Sequence, residues 1–257
     1  MGTALITGAS SGLGLEFAWQ LATARHDVVL VARDGERLER LAAQLRAAAG
    51  VHAEVLPADL TVRADLDRVA DRLRAAERGV GLLVNNAGIG LGERFVGGDL
   101  ARQEHALDLM VRSVLVLSHA AAGAMVERGR GAILNVGSVA ALTASGTYSA
   151  HKAWVRTFTE GLAVELAGTG VTATVLSPGL THTEFHERAG LHDAQAYPEV
   201  AWLSADRVVA TALADVRRGA VLSTPSLRYR AASGALRVLP RGAVRRLGEL
   251  RPDRRRG

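Results

Sequence analysis

The first two dozen residues constrain the fold more than any later stretch. Thr3-Ala4-Leu5-Ile6 is a short apolar run, which reads as a buried strand. Thr7-Gly8-Ala9-Ser10-Ser11-Gly12-Leu13-Gly14 follows, and then a helical pattern through Phe17, Leu21 and Ala22. Strand, glycine-rich turn and helix start in this order make a dinucleotide-binding arrangement. The glycines allow a tight turn and close backbone approach, and the helix N-terminus faces a pyrophosphate. The spacing is Gly-x-x-x-Gly-x-Gly, unlike the more familiar Gly-x-Gly-x-x-Gly. On its own such a loop could equally be an ordinary glycine turn.

The rest of the chain repeats the alternation. Asp27 to Val31 reads as a second buried strand, Val51 to Leu56 as a third, and Leu82 to Val84 as a fourth closed by Asn85-Asn86-Ala87-Gly88. Helical patterns lie between them: Glu36 to Ala49 ending at Gly50, and one after Asp59-Leu60-Thr61 that runs to about Arg78. Asp99 to about Arg128 is a long helix with a nearly continuous small and apolar face, expected to lie against the sheet and a partner subunit. Gly131 to Val136, the helix Thr147 to Leu166, Val171 to Leu176, the helix Ser204 to Arg218 and the short strand Ala220 to Ser223 complete the series. Strands alternating with helices through short loops predict a single α/β unit with a doubly wound parallel sheet of about seven strands and helices on both faces.

Composition narrows the setting. The 257 residues are enough for one large α/β domain. There is no cysteine, which excludes disulfides and thiolate metal sites and points to a cytoplasmic protein. No signal peptide and no uninterrupted apolar run of bilayer length is read. The net charge of +5 is unevenly held, because Thr224 to Gly257 carries ten Arg against Glu249 and Asp253. The body is then mildly acidic, so nucleic acid is not an expected partner. Residues 1–223 read as the catalytic domain and 224–257 as a basic amphipathic extension, divided by Pro240 into two helices. The extension reads as a docked or partly disordered end. The alternative is a surface helix that makes weak peripheral contact with an anionic membrane.

Two positions carry the chemistry. Tyr148 and Lys152 stand four residues apart in a helical segment, so both side chains lie on one face. A nearby ammonium favours the phenolate and lowers the phenol's pKa, which makes the pair a general acid/base near neutral pH. Lys152 is the only lysine among 31 basic residues. Where charge alone is wanted this chain uses Arg, so the lone Lys suggests a role for a compact ammonium. Tyr-x-x-x-Lys by itself is common. At the end of the second strand, Ala32 holds the place where an acid would bind a ribose 2′-hydroxyl, and Arg33 follows. An Arg there accommodates a 2′-phosphate, favouring NADP(H) over NAD(H). Asp34 reads as the cap of the next helix.

Taken together these residues resemble the short-chain dehydrogenase/reductase family from Thr3 to about Thr224. The motifs occur in the family's order: the glycine turn, Asp59, Asn85-Asn86-Ala87-Gly88, Ser138 with Tyr148 and Lys152, and Pro178-Gly179 leading through Thr181 to Thr183. The resemblance implies a Rossmann-like domain that interconverts a ketone or aldehyde and an alcohol. It implies that Tyr148 exchanges the proton, that Ser138 orients the reacting oxygen, and that Lys152 lowers the Tyr148 pKa and bonds the nicotinamide ribose. Gly8, Ser10, Ser11, Gly12, Leu13 and Gly14 would shape the pyrophosphate turn. Asp59 and Leu60 would meet the adenine, Asn86, Ala87 and Gly88 would line the cofactor, and Pro178, Gly179, Thr181 and Thr183 would flank the nicotinamide. A homodimer or homotetramer through the two long helices is also implied.

Two departures stand out. Met110 occupies a place where most members carry an Asn that helps hold a water in the proton relay; a thioether cannot donate a hydrogen bond. A slower enzyme, another relay, or a shifted helix carbonyl would each answer this, as would a catalytically impaired NADP-binding sensor or scaffold. The Ser138–Tyr148 spacing of ten is also shorter than the family's usual one. His151 and His119 are expected to take no part in the chemistry. No metal site is expected: His182, His186 and His192 lie near Glu184 and Glu187 without clean ligand spacing. They read instead, with Phe185, Leu191, Tyr197 and Trp202, as a substrate loop over residues 181–203.

Overall fold

The computed structural model describes residues 2–184 and 198–249. Seven strands form one parallel sheet: β1 Thr3–Thr7, β2 Asp27–Ala32, β3 Ala53–Pro57, β4 Val80–Asn85, β5 Gly131–Val136, β6 Val171–Leu176 and β7 Leu222–Ser223, in the order β3-β2-β1-β4-β5-β6-β7. Register runs straight across the middle: Leu5 lies beside Val29 on one side and Leu83 on the other, and Leu83 beside Ile133. The order reverses between β1 and β4, and a crevice opens there at the strands' carboxyl ends.

Successive strand residues serve opposite cores, as the pleat requires. Ile6, Leu30 and Leu134 join one core with Phe17, Leu38, Leu45 and Val209. Leu5, Val29 and Ile133 join the other with Leu66, Leu73, Leu117 and Met125. Because both faces are covered, the strand centres are apolar, as expected for a parallel sheet, and polar residues such as Asn85 and Asn135 stand at the carboxyl ends. The first face is covered by α1 Gly12–Thr23, α2 Gly35–Ala49 and α7 Ala205–Arg217, the second by α3 Arg63–Arg74, α5 Ser113–Glu127 and α6 Gly146–Glu165. Local rules set the ends of α2: Asp34 accepts from Arg37 N–H at 2.9 Å, and Gly50 closes it in the left-handed region at φ 64°.

The long apolar helix runs from Leu100 to Glu127 but is not uniform. After α4 Leu100–Leu107 comes a π-helical turn, Asp108–Arg112, and then α5. On length and composition this helix could cross a membrane, but 50% of its most apolar window is buried in the fold. Val114, Leu117, Ala121 and Met125 supply that burial.

The extension contains two helices among the described residues, α8 Leu227–Val238 and α9 Arg241–Glu249, with Pro240 between them. Val244 is buried and Leu236 is half-buried, whereas Leu227 and Val238 are exposed. Leu250 and Arg254 to Arg256 lie outside the described residues, as do Phe185, His186, Glu187, Leu191, His192 and Tyr197 of the substrate loop.

Candidate active site

A single groove of about 1580 Å³ runs along the carboxyl ends of the strands. At one end lie Arg33, Asp59 and Leu60; in the middle Gly8, Ser10, Ser11, Gly12, Leu13, Asn86, Ala87, Gly88 and Thr183; at the other end Ser138, Tyr148, Lys152, Pro178, Gly179 and Thr181. The fold thus gathers these residues along one channel. Gly14 does not line it. Its role is packing, since a Cβ there would collide with the Gly8 carbonyl at the start of α1.

The glycine turn takes its shape from two residues in the left-handed region, Gly8 at φ 66° and Gly12 at φ 55°. A side chain at Gly8 would come within 2.9 Å of Asn86 Nδ2 and 3.0 Å of Ala87 Cα. The turn therefore presses on the end of β4, and Thr7 stitches the contact. Its hydroxyl accepts from Asn86 N–H at 2.9 Å and Ala87 N–H at 3.0 Å, while Asn86 Nδ2 donates to Thr7 O at 2.9 Å. Ser11 is the N-cap residue of α1, and the first turn of that helix carries no acid. Gly12 and Leu13 line the groove, so the positive end of this helix lies beside it, which suits a phosphate.

At the end of the groove beside β2, Arg33 is exposed near Asp59. Burial pushes the Asp59 carboxyl up, but the Thr61 amide and hydroxyl bonded to it, with the charges of Arg33 and His105, hold it below its ordinary value. A second basic group, absent from the sequence reading, stands nearby. Arg37 lines the groove and pairs with Glu184 at 3.2 Å. Neighbouring Thr183 sits 3.4 Å from where a Gly12 Cβ would be, so the segment after β6 crosses the start of α1.

At the other end Ser138 caps the 3₁₀ turn Val139–Leu142, its Oγ accepting from Ala140 N–H at 3.1 Å. The short connection to α6 is held by Ser149, whose hydroxyl bonds Thr143 Oγ1 at 3.0 Å and accepts from Ser145 N–H at 3.3 Å. The ten-residue spacing therefore still brings Ser138 close enough to the Tyr148 hydroxyl to favour the phenolate. Below them a buried ladder anchors α6. Asn85 Nδ2 donates to Asn135 Oδ1 at 2.9 Å, and Asn135 Nδ2 donates to Thr159 Oγ1 at 2.9 Å.

Lys152 is 5% exposed, with Nζ donating to Val136 O at 2.8 Å and lying 5.8 Å from the Tyr148 ring centroid. Burial drives its pKa down to about 8. Tyr148 as a residue is half-buried, but its hydroxyl end is densely surrounded. Burial pushes the phenol up to about 12, against a smaller lowering by nearby Ser138. The expected lowering of Tyr148 by Lys152 is thus overturned here: the ammonium faces the Val136 carbonyl, and burial of the phenol outweighs it.

Met110 is buried in the π turn, and its Cγ and Sδ lie 3.6 Å from where a Gly88 Cβ would be, with Lys152 Nζ at 3.8 Å from the same point. The thioether and the ammonium thus both border Gly88, the former carried on helix backbone shifted out of α-helical register. His151 is buried but does not line the groove, and its Nδ1 has no hydrogen-bond partner. Burial first, and then the Lys152 charge, hold the His151 imidazole below its ordinary value. His119 is exposed. His182 is stacked on Trp202 and bonded to Glu199 at 2.9 Å. Among the described residues no group of three His, Asp or Glu could hold a metal.

Comparison with known proteins agrees with this geometry. The short chain dehydrogenase profile matches residues 2–193. Sulfoacetaldehyde reductase 2 of Chromohalobacter salexigens is 39% identical over 186 residues, covering 70% of this chain and 73% of that protein. A short-chain dehydrogenase from Sphingobium yanoikuyae, solved in complex with NADPH, is 40% identical with a TM-score of 0.84, covering 92% and 94% of the two chains. The bulky-bulky ketone specific alcohol dehydrogenase of Comamonas testosteroni is 31% identical with a TM-score of 0.79, covering 93% and 95%. This chain belongs to the short-chain dehydrogenase/reductase family and is an NAD(P)-dependent oxidoreductase that acts between alcohols and carbonyl compounds.

Proposed function

We propose that this enzyme uses NADP(H) in preference to NAD(H) to interconvert a ketone or aldehyde and its alcohol, with Tyr148 as the general acid/base. One observation carries the reading. A single groove joins Arg33, with no acid at the preceding Ala32, to Ser138 and Tyr148. The groove suits a dinucleotide: two left-handed glycines, a helix start without acids, and a basic residue at the adenosine end. The nicotinamide, when bound, supplies or accepts the hydride.

The protein's own part is to hold the oxygen and move one proton. Ser138 Oγ orients the carbonyl oxygen against Tyr148 Oη. With burial pushing the phenol up to about 12, the proton is in place at neutral pH, ready to pass to an oxygen that gains negative charge. The reverse direction needs the phenolate, and Ser138 is the group at the phenol that favours it. Met110 supplies no donor for a relay beyond Lys152, so a helix carbonyl in the π turn is the proposed substitute.

The assembly proposed is a homodimer or homotetramer through Leu100–Glu127 and α6. Leu107, Leu115 and Val126 on the first, and Val164 on the second, leave apolar side chains exposed.

Fluorescence titration of NADPH against NADH on the wild type and Arg33→Ala tests the cofactor preference. An Arg–phosphate contact contributes about 1.5–3 kcal/mol, so the wild type should prefer NADPH by about tenfold or more and the variant should lose most of that. Tyr148→Phe should keep cofactor affinity and lose carbonyl reduction by about 10²-fold or more. Equal affinity for both cofactors would refute the preference. Tight NADPH binding with no carbonyl turnover would favour the sensor reading, with Met110 as its cause.

A further inference from the structure

Helix α8 belongs to the basic extension, yet it lines the groove with Tyr229, Ala232, Ser233 and Leu236. That spacing places the four on one helix face. The helix packs against the 3₁₀ turn that follows Ser138, so this face borders the Tyr148 end of the channel. Arg228, Arg230 and Arg237 remain exposed on the rest of the helix.

Tyr229 does more than fill space. Its hydroxyl accepts from Leu180 N–H at 3.1 Å and donates to Ala201 O at 2.8 Å. Leu180 leaves the sheet after β6, and Ala201 returns toward α7, so one phenol bonds both arms of the same excursion. The arms are also joined directly. Leu203 N–H donates to Leu180 O at 2.9 Å, and His182 N–H donates to Leu203 O at 3.0 Å. The Tyr229 ring lies over Gly179, where any Cβ would overlap it. Arg228 adds a bond to Val200 O at 2.6 Å.

We propose that Tyr229 is a positioning residue that fixes the separation of these two arms, and that the α8 face around Leu236 is the wall against which the substituents of the carbonyl lie. This rests on the carbonyl-reduction reading above. Phe at 229 would keep the ring over Gly179 and lose both hydrogen bonds, so Tyr229→Phe isolates the fastening from the packing.

The test uses the full chain. In Tyr229→Phe, hydrogen exchange at the Leu180 and Leu203 amides should speed up about fivefold or more while the central strands keep wild-type rates. The KM for a ketone should rise about fivefold, with kcat and NADPH affinity held within about twofold. Leu236→Ala and Leu236→Trp should move the preference between an aryl ketone and a short aliphatic ketone in opposite directions, by about tenfold. Unchanged exchange in Tyr229→Phe overturns the fastening, and equal size preference in both active Leu236 variants overturns the wall. Failure of the wild type to reduce any ketone or aldehyde, with the exchange effect intact, overturns the carbonyl reading and the wall while upholding the fastening.

Discussion

At the scale of single residues, Lys152 is the group whose cost can be read directly. Its ammonium is buried and held to one carbonyl, with its pKa pushed down to about 8. Between that value and the ordinary ~10.4 the folded protein binds fewer protons than the unfolded chain, so stability rises with pH through this window. Below it the charged form is stored at a cost of about 3 kcal/mol, at about 1.36 kcal/mol per unit. Lys152→Met removes that cost and loses one hydrogen bond worth ~1 kcal/mol. The variant is expected to be inactive but about 1–2 kcal/mol more stable than the wild type at pH 7. The advantage should fade as pH approaches 10, before titration of Tyr148 acts in the opposite direction. Urea unfolding at several pH values checks this, and a gap that does not change with pH would refute it. Tyr148 and Lys152 were legible as a pair because one helix turn relates them. The direction of the Tyr148 shift was not, because burial of the phenol depends on walls brought in by the segment from the end of β5 through the 3₁₀ turn.

Among the elements, the glycine turn is the least forgiving. Gly14 lies in α1 with no room for a Cβ between its backbone and the Gly8 carbonyl. Backbone atoms cannot rotate away as a side chain can, so Gly14→Ala should displace α1 from the turn. Expected are a loss of about 1–3 kcal/mol in stability and a larger relative loss in NADPH affinity than in melting behaviour. Thermal melts beside fluorescence titration measure both, and wild-type cofactor affinity in this variant would count against the packing argument. The turn was legible in the sequence because strand, glycines and helix are contiguous. The π turn at Asp108–Arg112 was not. Its sequence, Asp-Leu-Met-Val-Arg, holds no Gly or Pro, and nothing local marks the change of register. What it does is set Met110 against Gly88, which Lys152 also borders.

For the whole molecule, the alternation of strands and helices was legible because each element shows its own period, and the parallel sheet follows from short connections between them. The contacts that close the groove were hidden by distance along the chain. Arg37 meets Glu184 across 147 residues, and Leu180 meets Tyr229 across 49. No local pattern foretells such pairs. The exposed apolar side chains of the two long helices bear on assembly. Sedimentation velocity should find the wild type oligomeric and the double variant Leu115→Arg, Val164→Arg shifted to monomer, since burying unpaired charge at an apolar contact is costly. A monomeric wild type would end that proposal. The composition of the chain also has a use outside the cell. Of its 31 basic residues 30 are guanidines, leaving Lys152 as the one side-chain amine. With a pKa of about 8 it is half unprotonated in mildly alkaline buffer. A reagent that acylates amines and ignores guanidines therefore has a single side-chain target in this molecule, and its uptake of label reports on the occupancy of the groove and on little else.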